Sequence, residues 1–249
     1  MNKKIIKVAL ITIAVIACML IAGNNYMYKN GLSGKYANTL AKDGQIKVAC
    51  VGDSITYGHG ISDWEKNCYP ALLQEYLGDA YHVSNFGSSG ACVNPDGDQP
   101  YEKRDIYKSA LQYDADIVIF MMGTNDAKPE NWTNVDDFMN DYKTLVASFA
   151  GTEKMPKIYL ALPSEAFYTD DEEKSTGITT YDIQPAKIDE MVVAIKEYAE
   201  TSEDIAGVID IHALTEANEA WFEIDGIHPN NDGAKAIAEA VAKAIKELE

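Results

Sequence analysis

Four short polar clusters stand out in this chain: Gly52-Asp53-Ser54, the run Asn85-Phe86-Gly87-Ser88-Ser89-Gly90, Gly123-Thr124-Asn125-Asp126, and Asp225-Gly226-Ile227-His228-Pro229. Together they supply the parts of an acyl-transfer site. A serine hydroxyl is a weak nucleophile at neutral pH, so it needs a neighbouring base, and that base needs an orienting partner. Ser54 is the candidate nucleophile, His228 the candidate base, and Asp225, three residues before it, the candidate orienter. The order Ser, Asp, His occurs in several unrelated serine hydrolases. A developing oxyanion also needs donors aimed at it. The backbone N–H of Ser54, the backbone N–H of Gly87 and the side-chain amide of Asn125 are the candidates, with glycine at 87 allowing close approach of backbone to substrate.

Taken singly, each cluster has an ordinary explanation. Gly-Asp-Ser is also a common strand-to-helix turn with its cap. Gly87 and its neighbouring glycines can simply supply positive φ. Asn125-Asp126 reads as an Asx turn, the preferred reading for Asp126. His228 precedes a proline in a loop, and His59, His82 and His212 show that a histidine here need not be special. The functional reading rests on the four clusters meeting on one edge.

The elements needed for that meeting are legible. Apolar, β-branched runs at 46–51, 81–85, 116–122, 157–162 and 207–211 read as strands covered on both faces by helices. Between and after them, 69–77, 104–113, 135–149, 184–202 and 231–249 read as helices, the last with Ile237, Val241, Ala244 and Ile245 at helical spacing. This alternation predicts a three-layer α/β/α domain with a five-stranded parallel sheet and right-handed crossovers. In such a sheet ligands bind beyond the carboxyl ends of the strands, which is where three of the clusters fall.

The first segment differs from the rest. Residues 1–23 combine Lys3, Lys4 and Lys7 with an apolar run over 8–22, the pattern of a signal peptide. An uncleaved N-terminal membrane anchor is the alternative, and Cys18 admits a lipoprotein reading. Each puts the remaining chain outside the cytoplasm, extracellular or at the cell surface. Residues 24–45 are polar and without period, a linker, and 46–249 are the expected catalytic domain. The formal net charge of −18 excludes a nucleic-acid partner, which rewards clustered Lys and Arg. Cys50, Cys68 and Cys92 are too few and too spread for a disulfide framework or a CxxC metal site. Cys50 reads as a small core residue, and a Cys68–Cys92 bond is left open.

Gly52-Asp53-Ser54-Ile55-Thr56, the Gly of Asn-Phe-Gly-Ser-Ser-Gly, the Asn of Gly-Thr-Asn-Asp and Asp-Gly-Ile-His-Pro resemble the four sequence blocks of the SGNH hydrolases, also called GDSL esterases, in family order. The resemblance runs from Ile46 to the end of the chain. It implies a flavodoxin-like fold and two-step ester hydrolysis through an acyl-serine. It also implies Ser54, His228 and Asp225 in the roles given above, Gly87 and Asn125 completing the oxyanion hole, and no metal or organic cofactor. The serine is not in a Gly-x-Ser-x-Gly elbow, which argues against an α/β-hydrolase.

The stretches 96–107 and 123–132 are similar to those of family members acting as carbohydrate O-acetylesterases, including sialate-type enzymes. Tyr57, His59, Tyr101 and Trp132 fall near the expected edge and would stack on a sugar, while Trp132 has packing on the helix after Thr133 as its alternative. The polar loop 88–101 and the acidic segment 164–180 would form a rim around a small acyl group. The resulting expectation is a deacetylase of extracellular saccharides. A lysophospholipase or acyl-thioesterase, a non-catalytic glycan-binding relative and a flavodoxin-type carrier are the alternatives. The carrier lacks a phosphate loop after the first strand.

Overall fold

In the computed structural model the described residues are 41–247; the expected signal or anchor, Cys18 and most of the linker lie outside them. Five strands form one parallel sheet: β1 (Ile46–Gly52), β2 (Tyr81–Gly87), β3 (Ile117–Met121), β4 (Lys157–Ala161) and β5 (Ile205–Ile209). Their spatial order is β2-β1-β3-β4-β5. The order reverses between β1 and β3, so the crevice of this doubly wound sheet opens at the ends of those two strands.

Side-chain alternation along β1 explains the layers. Val48 and Cys50 face one side of the sheet, where they pack with Leu73 of α3 (Tyr69–Leu77) and Ile237, Val241 and Ile245 of α9 (Asn231–Lys246). Ala49 and Val51 face the other side, with Ile106 of α4 (Asp105–Tyr113), Tyr142 of α5 (Val135–Ala150) and Met191 of α7 (Pro185–Thr201). A strand buried on both faces reads as an apolar run, as β1 does from Val48 to Val51. Four short helices complete the set: α1 (Ser54–Tyr57), α2 (Trp64–Asn67), α6 (Asp171–Thr176) and α8 (Ile211–Thr215).

The strand ends are brought level by register. Gly52 pairs with Gly87 on one side and with Met121 on the other. Both glycines are steric requirements. A Cβ on Gly52 would lie 2.0 Å from Thr56 Oγ1 and 2.6 Å from the Met121 carbonyl, and one on Gly87 only 2.2 Å from the Tyr57 nitrogen. The bare backbones let α1 sit directly on the ends of β1 and β2.

One expectation needs correction, and one open question closes. The last strand runs over Ile205–Ile209, not 207–211, because the Asp210 carboxylate accepts the Ala213 N–H and starts α8 there. As the edge strand β5 is only partly buried, its apolar signal is diluted. Cys68 and Cys92 form no disulfide; both are free and buried. Burial pushes the Cys68 thiol up to about 11 and the Cys92 thiol up to about 12, so both are inert as nucleophiles.

Candidate active site

Asp53 begins the site. Its carboxylate accepts the Ile55 N–H at 2.9 Å, capping the single turn of α1 that Gly58 (φ 97°) closes. Ser54 is therefore the first residue of that turn, held at the buried end of β1. At a helix start the N–H has no intrahelical acceptor, and the Ser54 amide has none elsewhere among the described residues.

The base arrives on a loop that folds on itself. The Glu223 N–H donates to the His228 carbonyl at 2.8 Å and the Gly226 N–H to the Glu223 carbonyl at 3.0 Å. One oxygen of Asp225 accepts the N–H groups of Ile227 and His228, both at 2.9 Å, while the other lies 2.8 Å from His228 Nδ1. The three-residue spacing thus works because the turn at Gly226 (φ 70°) doubles the chain back. A Cβ there would stand 2.3 Å from the Phe167 carbonyl. His228 Nε2 then lies 2.9 Å from Ser54 Oγ. Residues 174 positions apart in sequence make a continuous Asp225–His228–Ser54 chain.

Electrostatics suit a base at rest. Burial lowers the pKa of His228, and this outweighs the Asp225 hydrogen bond and charge that raise it; His59 lowers it further. Burial alone would raise Asp225, but its hydrogen bonds from His228 and Ile227 hold it below the usual carboxylate range. The pair is neutral imidazole beside carboxylate, ready to take a proton.

Opposite the base, Asn125 sits in a 3-10 turn (Thr124–Ala127) after β3. Its Nδ2 donates to the Ala91 carbonyl at 3.1 Å and makes a long 3.5 Å contact with Asp53 Oδ2. Its carbonyl accepts from Asn131 Nδ2 at 2.8 Å, which fixes the turn. Gly87 does not offer a free donor as expected. Its N–H donates to Asn85 Oδ1 at 2.8 Å, and Asn85 Nδ2 in turn donates to the Thr56 carbonyl, tying β2 to α1. In the same loop it is the Gly90 amide, at φ 77°, that donates to no acceptor among the described residues. Of the two glycines in Asn-Phe-Gly-Ser-Ser-Gly, sequence reasoning selects Gly87, whose N–H the Asn85 side chain occupies.

Asp126 is not an Asx turn. Its carboxylate reaches across 33 positions to accept the Val93 N–H at 2.9 Å and, through the same oxygen, the Asn94 N–H at 2.9 Å. It thereby shapes the loop whose Ala91 carbonyl holds Asn125. Burial pushes Asp126 up to about 7 and Asp53 up to about 6, against the hydrogen bonds each accepts.

The expected sugar-stacking residues divide. His59 is exposed, its ring 4.4 Å from that of His228, and Tyr57 stacks on Trp64 at 5.4 Å. Tyr101 cannot reach a sugar: it is 0 % exposed, and its hydroxyl donates to the Phe86 carbonyl at 2.7 Å. Trp132 packs on Phe138, with the Lys187 ammonium 5.4 Å over its ring, and borders a polar cleft of about 350 Å³ with Asn94 and Asp126. Its packing role is therefore observed. Residue-type reasoning missed Tyr181, 44 % exposed, whose ring meets His228 edge-on at 5.3 Å, and Ile224, 95 % exposed beside Asp225. Neither lies in a motif; only the fold brings them to the mouth.

The sheet order and the level strand ends define an α/β/α fold of the SGNH type. The chain belongs to the GDSL-like lipase/acylhydrolase family, whose model matches residues 50–236. It is 36 % identical over 222 residues to an acetylxylan esterase of Xylanibacter ruminicola, covering 82 % of this chain and 44 % of that protein, so it spans less than half the length of this relative. Among solved structures it resembles a carbohydrate acetylesterase from Sinorhizobium meliloti (TM-score 0.64, 21 % identity, 82 % of this chain and 100 % of that one). It also resembles a lipase/acylhydrolase from Enterococcus faecalis (TM-score 0.63, 22 % identity, 82 % and 96 %). At these identities the likeness speaks to the fold.

Proposed function

We propose that the protein is a serine esterase that removes acetyl groups from carbohydrates through an acyl-serine intermediate. The observation that carries this reading is the unbroken chain from Asp225 through His228 to Ser54 Oγ, with contacts of 2.8 and 2.9 Å. His228 Nε2 takes the Ser54 proton as Oγ attacks the ester carbonyl. The oxyanion is met by the Ser54 N–H, by the Gly90 N–H in place of the expected Gly87, and by Asn125 Nδ2 turning from its long contact with Asp53. Collapse returns the proton from His228 to the departing sugar oxygen. Water, deprotonated by the same nitrogen, then attacks the acyl-serine and releases acetate and free Ser54.

Carbohydrate as the substrate draws on the relative's name and on the rim. His59 and Tyr181 flank the base and offer aromatic surface to a sugar, while the neighbouring loop 88–101 is polar. The charge of −18 favours a neutral acetylated saccharide over an anionic one such as a sialate, since like charges repel. The basic, then apolar, first 23 residues support export to the cell exterior, by cleavage or by anchoring in the membrane.

The test is hydrolysis of p-nitrophenyl acetate, butyrate and octanoate by wild type and Ser54→Ala. Acetate is expected to be the best substrate, with a loss of about 10⁴-fold or more in the variant and unchanged melting temperature. Octanoate as the best substrate, or an active variant, would overturn the proposal.

A further inference from the structure

On the β4–β5 side of the sheet three side chains from three elements converge. Glu165 follows β4, Asp189 lies in the second turn of α7, and His212 lies at the start of α8. His212 Nε2 stands 3.4 Å from Glu165 Oε2 and 3.4 Å from Asp189 Oδ1, and the three donor atoms lie within 4.8 Å of one another. Those separations are long for charge-assisted hydrogen bonds, which fall near 2.7–2.9 Å. They do match the edge of a coordination tetrahedron: arms of about 2.05 Å, the usual Zn–N and Zn–O lengths, separate neighbouring ligands by about 3.4 Å.

The donors are also held in place. Glu165 Oε1 accepts the Ala166 N–H at 3.0 Å, leaving Oε2 to face the histidine, and the Glu165 N–H donates to Thr215 Oγ1 at 3.0 Å. His212 Nδ1 is buried with no hydrogen-bond partner, so the ring meets its polar surroundings through Nε2. Two carboxylates face one imidazole here, a set whose charge a divalent cation would balance.

We propose that Glu165, Asp189 and His212 bind a divalent transition-metal ion of the zinc type, with solvent in the remaining position. The imidazole donor selects against calcium and magnesium, which take oxygen ligands. The Asp189 side chain is 63 % exposed, so an ion reaches the site without unfolding. The role is structural. Two residues beyond Glu165, the Phe167 N–H donates to the Gly226 carbonyl at 2.9 Å, so the strand-end segment that the ion would pin braces the loop carrying Asp225 and His228.

The experiment is titration of the chelator-treated full chain with Zn²⁺ by calorimetry and with Co²⁺ by visible absorption, beside Asp189→Asn and His212→Ala. One ion per chain is expected, with the intense ligand-field bands of tetrahedral cobalt. The melting temperature should rise by about 5–10 °C at a hundredfold excess over Kd. Asp189→Asn, a substitution at an exposed position, should weaken binding at least tenfold even if His212→Ala does not fold. Absence of stoichiometric binding, or affinity unchanged in the variants, would overturn the site and leave His212 as an ion-pair partner of the two carboxylates.

Discussion

The two halves of the candidate active site are built in different ways. Ser54 and Asn125 stand at the ends of β1 and β3, and their positions follow from the pairing of Gly52 with Gly87 and Met121. Asp225 and His228 belong to no strand. They are placed by short-range hydrogen bonds within 223–228 and by one brace from Phe167 to Gly226. The nucleophile's half is therefore a property of the core, and the base's half a property of a loop seated on it. Disturbing the first should cost stability, and disturbing the second should cost activity first.

The largest expected effect is confined to the loop. Asp225→Asn leaves the shape but removes the charge that orients the imidazole, and should lower kcat about 10⁴-fold by the steady-state ester assay with little change in melting temperature. A paired glycine substitution sharpens the contrast. Gly226→Ala pushes a Cβ against the Phe167 carbonyl and should lower kcat about 10²-fold by displacing His228, for a small loss of stability. Gly52→Ala strikes Thr56 and the Met121 backbone, and should destabilise the protein by roughly 2–3 kcal/mol in denaturant unfolding. If the two alanines lose stability equally, the division between core and loop does not hold.

Asp126 carries the comparison into pH. Its folded pKa of about 7 lies above the ordinary carboxylate value of 3.8, so between these values the folded state binds more protons than the unfolded. Its contribution to stability is therefore full below pH 4 and is lost as pH rises through 7. The melting temperature of wild type relative to Asp126→Asn should fall across that range, and a rise would show that Asp126 stays charged. The smallest effect belongs to the base. With His228 held below its usual 6.5, the acid limb of kcat/KM should lie below pH 6.5, activity being lost as pH falls through it.

Much of this was legible in the sequence because the relevant determinants are local. Strands covered on both faces are dominated by apolar, β-branched residues, so β1 to β4 were visible despite Lys47 and the polar residues of β2, and Asp225 and His228 share one loop. Three features were illegible for the opposite reason. Whether Gly87 or Gly90 has a free amide depends on the Asn85 side chain; whether Tyr101 is exposed depends on the Phe86 carbonyl of a neighbouring strand; and Asp126 finds its partners 33 positions away. Tyr181 and Ile224 carry no motif at all, and acquire meaning only from the loop beside them. Side-chain type announces chemistry, whereas exposure and donor availability are decided by distant backbone.

The loop that carries His228 runs directly into α9, whose cap, Asn230, donates its N–H to the Trp221 carbonyl on the far side of that loop. A chain in which α9 is undocked would therefore hold its base away from Ser54, and its serine would be no more reactive than any other.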